Sequence, residues 1–180
     1  MTTPTMRRPA KDTGTDRPVP RWAEIVAHLI PLVGLPQCIW RLPFAFGFTM
    51  GSVESDPTDV WWAVPYIFGL SVLSESFALL SFGLVRGWGE VVPHWIPVLG
   101  GRRIPPFAVI VPAALGGLFL TGMLVYWALA TFQIGGVSHV AYTNGWWDAL
   151  ATTCIGLLTL WGPLLLALTY AYYRRRGPGS

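Results

Sequence analysis

The chain has 180 residues, 53% of them hydrophobic and only 12% charged, with a mean hydropathy of +0.50. Soluble domains carry about 25% charged residues, so this balance excludes an ordinary soluble domain and predicts an integral membrane protein. The net charge of +3 and pI near 9.1 would suit a nucleic-acid binder in a soluble chain. Here the charges are segregated by apolar segments, and neither a basic–aromatic surface nor a phosphate loop is present, so no nucleic-acid partner is expected.

Residues 1–20, MTTPTMRRPAKDTGTDRPVP, hold almost no large apolar side chain. They cannot offset their ordering entropy by burial and are expected to form a disordered tail. The apolar run behind them lacks a small-residue cleavage site, so a cleavable signal peptide is not expected.

The first apolar segment runs from about Trp22 to Met50 and contains Glu24, His28, Arg41, Pro31, Pro36 and Pro43. It is long for a single span, which needs about 20 residues. Two arrangements compete. Residues 22–41 span, with Arg41 reaching the far interface; or 21–28 form a short interfacial helix and the span is 29–50, kinked at its prolines. Glu24 and His28 share one helical face and fit the second arrangement better. Residues 51–60, GSVESDPTDV, form a short acidic loop with turn chemistry around Pro57.

The second segment, 61–85, opens with interfacial aromatics, Trp61, Trp62 and Tyr66. It carries serines and one acid, Glu75, and Gly69, Ser76 and Gly83 lie seven apart, a spacing for a helix contact. The connection RGWGEVVPHWIPVLGGRRIPP, residues 86–106, has too much Gly and Pro for one helix. It is too apolar for a free loop, and is expected to lie on the membrane or fold back under the bundle. The third segment, 106–132, is uncharged and presents Ala113, Gly117 and Thr121 at four-residue spacing, a stripe that admits another helix closely. After a second outer loop at 133–145, the fourth segment, 146–173, ends on Arg174, Arg175 and Arg176, and 177–180 form a flexible end.

Every basic residue except Arg41 falls before the first span, in the central linker or after the last span. The positive-inside rule then predicts an all-α protein with four transmembrane helices, both termini inside, and a Pro/Gly/Trp-rich cytoplasmic linker between helices 2 and 3. Domain organisation follows: a tail at 1–20, a four-helix domain at 21–176 and a short C-terminus.

Arg41 and Glu75 are the intramembrane charges. With the first span at 29–50, Arg41 lies roughly 15 Å from its outer end and Glu75 roughly 21 Å from Trp61, at about 1.5 Å per residue. Charges at such depth pair or line a cavity, so an Arg41–Glu75 polar pair is the sharpest site expectation. His28, His94 and His139 do not converge, and Glu24, His28, Glu90 and His94 match no ligand spacing. Cys38 and Cys154 stand alone in apolar segments. No catalytic residue, metal or cofactor is expected.

CIWRLPFAFGFTMG (38–51) and RGWGEVVPHWIPVLGGRRIPPFAVIVPA (86–113) resemble uncharacterised four-helix integral membrane proteins of actinobacteria. Those proteins carry a similar Arg-Leu-x-x-Ala-x-Gly element after a Trp and a similar WGE–P–W–P–GGRR–PP linker. The resemblance covers about a quarter of the chain. It implies the fold, a multi-pass bacterial plasma-membrane location and a role for Arg41, and brings no activity with it.

The resulting functional expectation is a non-enzymatic accessory or regulatory membrane protein. Its partners would be the bilayer and a second copy or another membrane protein, which the third-helix stripe would suit, although packing of that stripe within the monomer is its leading reading. In its linker, Glu90, His94, Trp95, Arg102 and Arg103 are the contact candidates. The alternative is a small transporter or channel-like subunit with Arg41 and Glu75 lining a polar path.

Overall fold

The computed structural model describes residues 18–53, 62–91, 101–136 and 142–176. The expected tail at 1–17, most of the acidic outer loop, His94, Trp95 and the last four residues lie outside them. Five α-helices make up four apolar rods: α1 (Arg21–Arg41), α2 (Ala63–Leu80), α3 (Pro106–Thr131), α4 (Gly145–Thr159) and α5 (Trp161–Arg176). Short 3-10 turns extend α1 over Leu42–Phe46 and α2 over Ser81–Leu84. Among the described residues there is no strand, only the isolated bridges Ser52–Tyr142 and Val91–Arg103. All four rods, Arg21–Phe46, Ala63–Leu84, Pro106–Thr131 and Gly145–Arg176, are long and apolar enough to cross a membrane.

Large apolar side chains point outward all round the bundle. Ile25, Leu32, Ile39, Val72, Phe77, Leu115, Leu118 and Phe119 are all exposed. A soluble monomer does not present apolar surface on that scale, and a bilayer accepts it.

The core lies along α1, α2 and α5, where Ile30, Leu168 and Tyr172 are fully buried. α1 meets its neighbours with small residues, Ala23, Ala27 and Gly34, which let backbones approach. Helix α3 is peripheral: of its 26 residues only Gly117 and Ala130 are buried.

α1 is continuous from Arg21, so the interfacial helix at 21–28 and a separate span beginning at 29 do not form. Pro31 and Pro36 lie inside the helix. A break between His28 and Leu29 would leave further N–H and C=O groups unbonded in hydrocarbon, so continuing the helix through its prolines is the lesser cost. Pro43 stands in the first turn of the following 3-10 segment, where its missing N–H forfeits nothing. Arg41 therefore ends α1, roughly 30 Å from Arg21, which is about one hydrocarbon thickness.

The fourth rod is two helices rather than one. Pro163 cannot donate to the Thr159 carbonyl, and the helix breaks at Leu160, whose N–H turns back to Leu157 O at 3.2 Å. α5 packs closely along α3. There Gly117 and Thr121 of the expected stripe meet α5 within the chain. A Cβ built on Gly117 would lie 2.8 Å from the Leu166 side chain, and one on Gly162 would lie 2.5 Å from Thr121 N and 2.7 Å from Leu120 C. The stripe foreseen over Gly69, Ser76 and Gly83 is a contact only at Gly83, buried in the 3-10 turn after α2; Gly69 and Ser76 face outward, and Ser71 and Ala78 are buried instead.

The two glycines make a test of this packing. At Gly162 the obstacle is backbone, which cannot yield, so Gly162→Ala is expected to lower stability by about 1–3 kcal/mol through overpacking. At Gly117 the obstacle is the flexible end of Leu166, and alanine gains up to about 1 kcal/mol in helix propensity, so Gly117→Ala should be nearly neutral. Thermal unfolding of both variants in detergent measures the difference.

Candidate functional site

The most elaborate polar construction lies at the bundle end shared by Arg21, the central linker and Arg176. It begins with local sequence. Gly87-Trp88-Gly89 forms a 3-10 turn that folds onto the preceding 3-10 turn. The Trp88 ring lies 2.9 Å from where a Gly83 Cβ would be, and a Gly89 Cβ would collide with the Gly83 carbonyl. Glycine at both positions is what lets the two turns stack. The linker then returns: Val91 bridges Arg103 and Ile104 N donates to Glu90 O at 2.9 Å. The described ends of the linker thus pair and fold against the bundle.

This stack places Glu90 against the last turn of α5. Arg175 Nη2 is 3.1 Å from Glu90 Oε1, with only 6% and 3% of the two side chains exposed. The same Nη2 donates to Leu84 O at 3.0 Å, satisfying a carbonyl that the ending 3-10 turn leaves without an internal donor. One turn earlier on α5, the buried Tyr172 hydroxyl donates to Gly89 O at 3.1 Å and accepts from Arg176 Nη1 at 3.0 Å. Arg176 Nη1 also lies 3.5 Å from Ile104 O. Both guanidiniums sit over the Tyr172 ring, at 5.5 and 5.9 Å from its centroid. Three consecutive arginines therefore differ in role. Arg174 is exposed, Arg175 is buried in an ion pair, and Arg176 staples the returning linker strand.

Glu90, expected as an outward contact, is one of the most buried residues, 2% exposed. The carboxylate is drawn inward because Arg175 would otherwise be an unpaired buried cation. Arg102 and Arg103 remain exposed. His94 and Trp95 lie outside the described residues.

Above this clamp, between α2 and α3, is a lateral cleft of about 820 Å³. Its sides are α2 with the 3-10 turn after it, and α3. Its back is Trp161 and Leu165 of α5, and its inner rim is Trp88 and Ile104 of the linker. The cleft exists because the residues facing it on α3 are small, Ala108, Ala113 and Gly116, while bulkier Phe77, Leu80 and Phe119 stand at its edges.

Arg41 and Glu75 are not brought together, and no hydrogen bond or ion pair joins them. Arg41 lies at the opposite end of the bundle, beside Phe44, Trp62, Tyr66 and Leu70. Glu75 faces Gly34 of α1, whose Cβ position is 3.5 Å from Glu75 Oε2. Gly34 and Arg41 are seven residues apart on one helix, roughly 10 Å along its axis. Glu75 Oε2 is buried without a hydrogen-bond partner, as is Gln37 Oε1. The serines flanking Glu75 do not serve it. Ser71, Ser74 and Ser76 each donate to the carbonyl four residues back, at 2.7–2.9 Å, a bond within their own helix. Thr153 and Thr159 likewise bond carbonyls of α4. His28 contacts the Glu24 carbonyl at 2.7 Å and stacks edge-on to Phe82. Cys38 and Cys154 are buried free thiols. Among the described residues no three His, Cys, Asp or Glu side chains gather as a metal site would require.

No family model, curated protein or solved structure matches the chain.

The clamp has a characteristic response to mutation. Glu90→Ala leaves Arg175 buried without its counterion and is expected to cost about 3–5 kcal/mol. The double variant Glu90→Leu/Arg175→Met removes both charges and should recover most of that loss. Unfolding temperatures of the two variants in detergent provide the measurement, and equal losses in both would disprove the pairing.

Proposed function

We propose that this multi-pass membrane protein is a non-enzymatic accessory or regulatory protein that works through its central linker. Both termini and the linker face the cytoplasm in this reading, in a bacterial plasma membrane. The observation that carries it is the Glu90–Arg175 ion pair, buried at 3.1 Å. It makes the conformation of the linker and the position of the C-terminal helix one structural variable. A partner that grips the linker thereby acts on α5 and, through the close α3–α5 contact, on the bundle. Gly117 and Thr121 of the α3 stripe are packed against α5 inside the chain, so a membrane partner or second copy would meet the linker surface rather than those two residues.

Charge distribution supports the orientation. Arg21, Arg86, Arg102, Arg103, Arg174 and Arg176 stand at the clamp end and Arg41 at the other, as the positive-inside rule requires for an inner face. A single cysteine introduced at Ser55 should react with a membrane-impermeant maleimide on intact cells, and one introduced at Ser180 only after lysis. The native thiols are buried. The opposite pattern would invert the orientation.

The linker reading is tested by placing a photo-crosslinking amino acid at His94 or Trp95 in cells. One defined protein should be captured, and Glu90→Gln should reduce its capture severalfold by releasing the linker. Capture of lipid alone at both positions, unchanged in Glu90→Gln, would reject it.

A transporter reading is favoured by one observation, the buried unpartnered Glu75 Oε2 against Gly34. Intramembrane acids mark ion or proton paths. On this reading purified protein in liposomes conducts a measurable proton or cation flux that Glu75→Gln abolishes, and Arg41→Gln leaves it in place.

A further inference from the structure

The lateral cleft has dimensions, wall chemistry and a rim that together specify an occupant. Along α3 it runs from Ala108 to Leu120, roughly 18 Å at the rise of an α-helix. The hydrocarbon core is about 30 Å thick, so one leaflet is about half of that. The cleft therefore has the depth of one leaflet. It stops where α3 closes on α5 at Thr121 and Gly162. A transmembrane helix, 10–12 Å wide with its side chains and crossing the full core, would need a groove twice as long. A lipid chain entering from the clamp side needs one of this length. The volume of about 820 Å³ falls within the range of sites that enclose a small organic molecule, about 300–1,000 Å³.

The wall is predominantly apolar, and two of its residues, Ser81 and Trp161, carry a buried polar atom without a hydrogen-bond partner. Ser81, 3% exposed, lines the cleft, and its Oγ is buried with no hydrogen-bond partner. It lies within a turn of Leu84, the residue whose carbonyl Arg175 caps. The rim itself is cationic. Ile104 lines the cleft. Exposed Arg102 and Arg103 precede it in the chain, and Arg176 Nη1 lies 3.5 Å from its carbonyl.

We propose that the cleft between α2 and α3 binds one anionic glycerophospholipid of the leaflet on the clamp side. An acyl chain lies along Ala113 and Gly116, and the phosphate rests on Arg102 and Arg103. This rests on the membrane-spanning character of the four rods and not on the linker having a protein partner. The linker forms the cleft's inner rim through Trp88 and Ile104, so the bound lipid and the clamp share a wall.

The experiment reconstitutes the full chain in vesicles of equal phosphatidylcholine and phosphatidylglycerol, extracts it in mild detergent, and identifies the retained lipid by mass spectrometry. Wild type should retain phosphatidylglycerol well above its share in the vesicle. Gly116→Leu with Ala113→Phe fills the cleft; a Gly116 Cβ has its nearest neighbour, Leu165 Cδ2, at 4.0 Å, so there is room. This variant should lose the retained lipid roughly tenfold, since each buried methylene adds to chain affinity. Arg102→Gln with Arg103→Gln changes two exposed residues and leaves packing alone. It should cut the preference for the anionic lipid roughly tenfold, because each arginine at such a surface attracts an anionic headgroup. Retention at the vesicle ratio in wild type, or an anionic preference unchanged by loss of the arginine pair, would overturn the proposal. So would a photo-crosslinker at Phe119 that captures a second copy of the chain in place of lipid.

Discussion

The Glu90–Arg175 ion pair is the contact on which the rest of the clamp end depends. Taking both charges out of water costs several kcal/mol each, and their attraction returns this only if the remaining hydrogen-bonding capacity is also met. Here Nη2 of Arg175 is shared between the carboxylate and the Leu84 carbonyl, and the guanidinium rests over the Tyr172 ring. Such a pair contributes specificity more than net stability. A linker rich in Gly, Pro and apolar residues could collapse on the bundle in many registers. In only one of them does Glu90 meet Arg175 while the Tyr172 hydroxyl meets Gly89 O. Any other register leaves a buried cation without its counterion.

The consequences pass outward along α5. Its first turn holds Trp161 and Gly162, its middle holds Leu165 and Leu166, and its last holds Tyr172, Arg175 and Arg176. The same helix therefore forms the back of the cleft, the seat of α3 and the anchor of the linker. Pro163 removes one backbone hydrogen bond near the start of α5. α3 is peripheral and almost entirely exposed, so α5 gives it much of its support in the bundle.

Much of this was legible in the sequence, and the reason is physical. Four apolar runs of the right length and a one-sided arginine distribution predict four membrane-length rods, because hydrophobic length and composition are local properties. The pairing of Arg41 with Glu75 was not legible. It assumed that prolines and polar residues would shorten the first helix at its start, whereas the need to bond every backbone group within hydrocarbon keeps α1 whole from Arg21 and carries Arg41 to its end. Arg175 was read as one of three equivalent residues stopping a span. Nothing in RRR distinguishes them; only the rotation of α5 against the GWGE turn does, and that rotation is tertiary. The small-residue stripe on α3 was legible as a contact, but its partner, Gly162, lies beside a proline break that periodicity alone does not reveal. The α2 stripe of Gly69 and Ser76 failed because a seven-residue repeat exists on every face of a helix. The buried face is chosen by what α1 offers, here Gly34 and Cys38.

The cleft and the clamp are one construction. Trp88 packs on Gly83 and at the same time closes the inner rim, and Ile104 is both a cleft wall and the residue whose carbonyl Arg176 approaches. Its backbone N–H is bonded to Glu90, the residue that pairs with Arg175. Moving the linker away from α5 would break the ion pair and disturb the cleft's rim, to which Trp88 and Ile104 belong. The reverse coupling follows by linkage. A molecule that binds only when the rim is closed must stabilise the clamp by its own differential affinity for the closed form. On the proposed reading, a lipid in the cleft and a protein pulling on the linker would act in opposite directions on the same few side chains, Trp88, Glu90, Ile104 and Arg175.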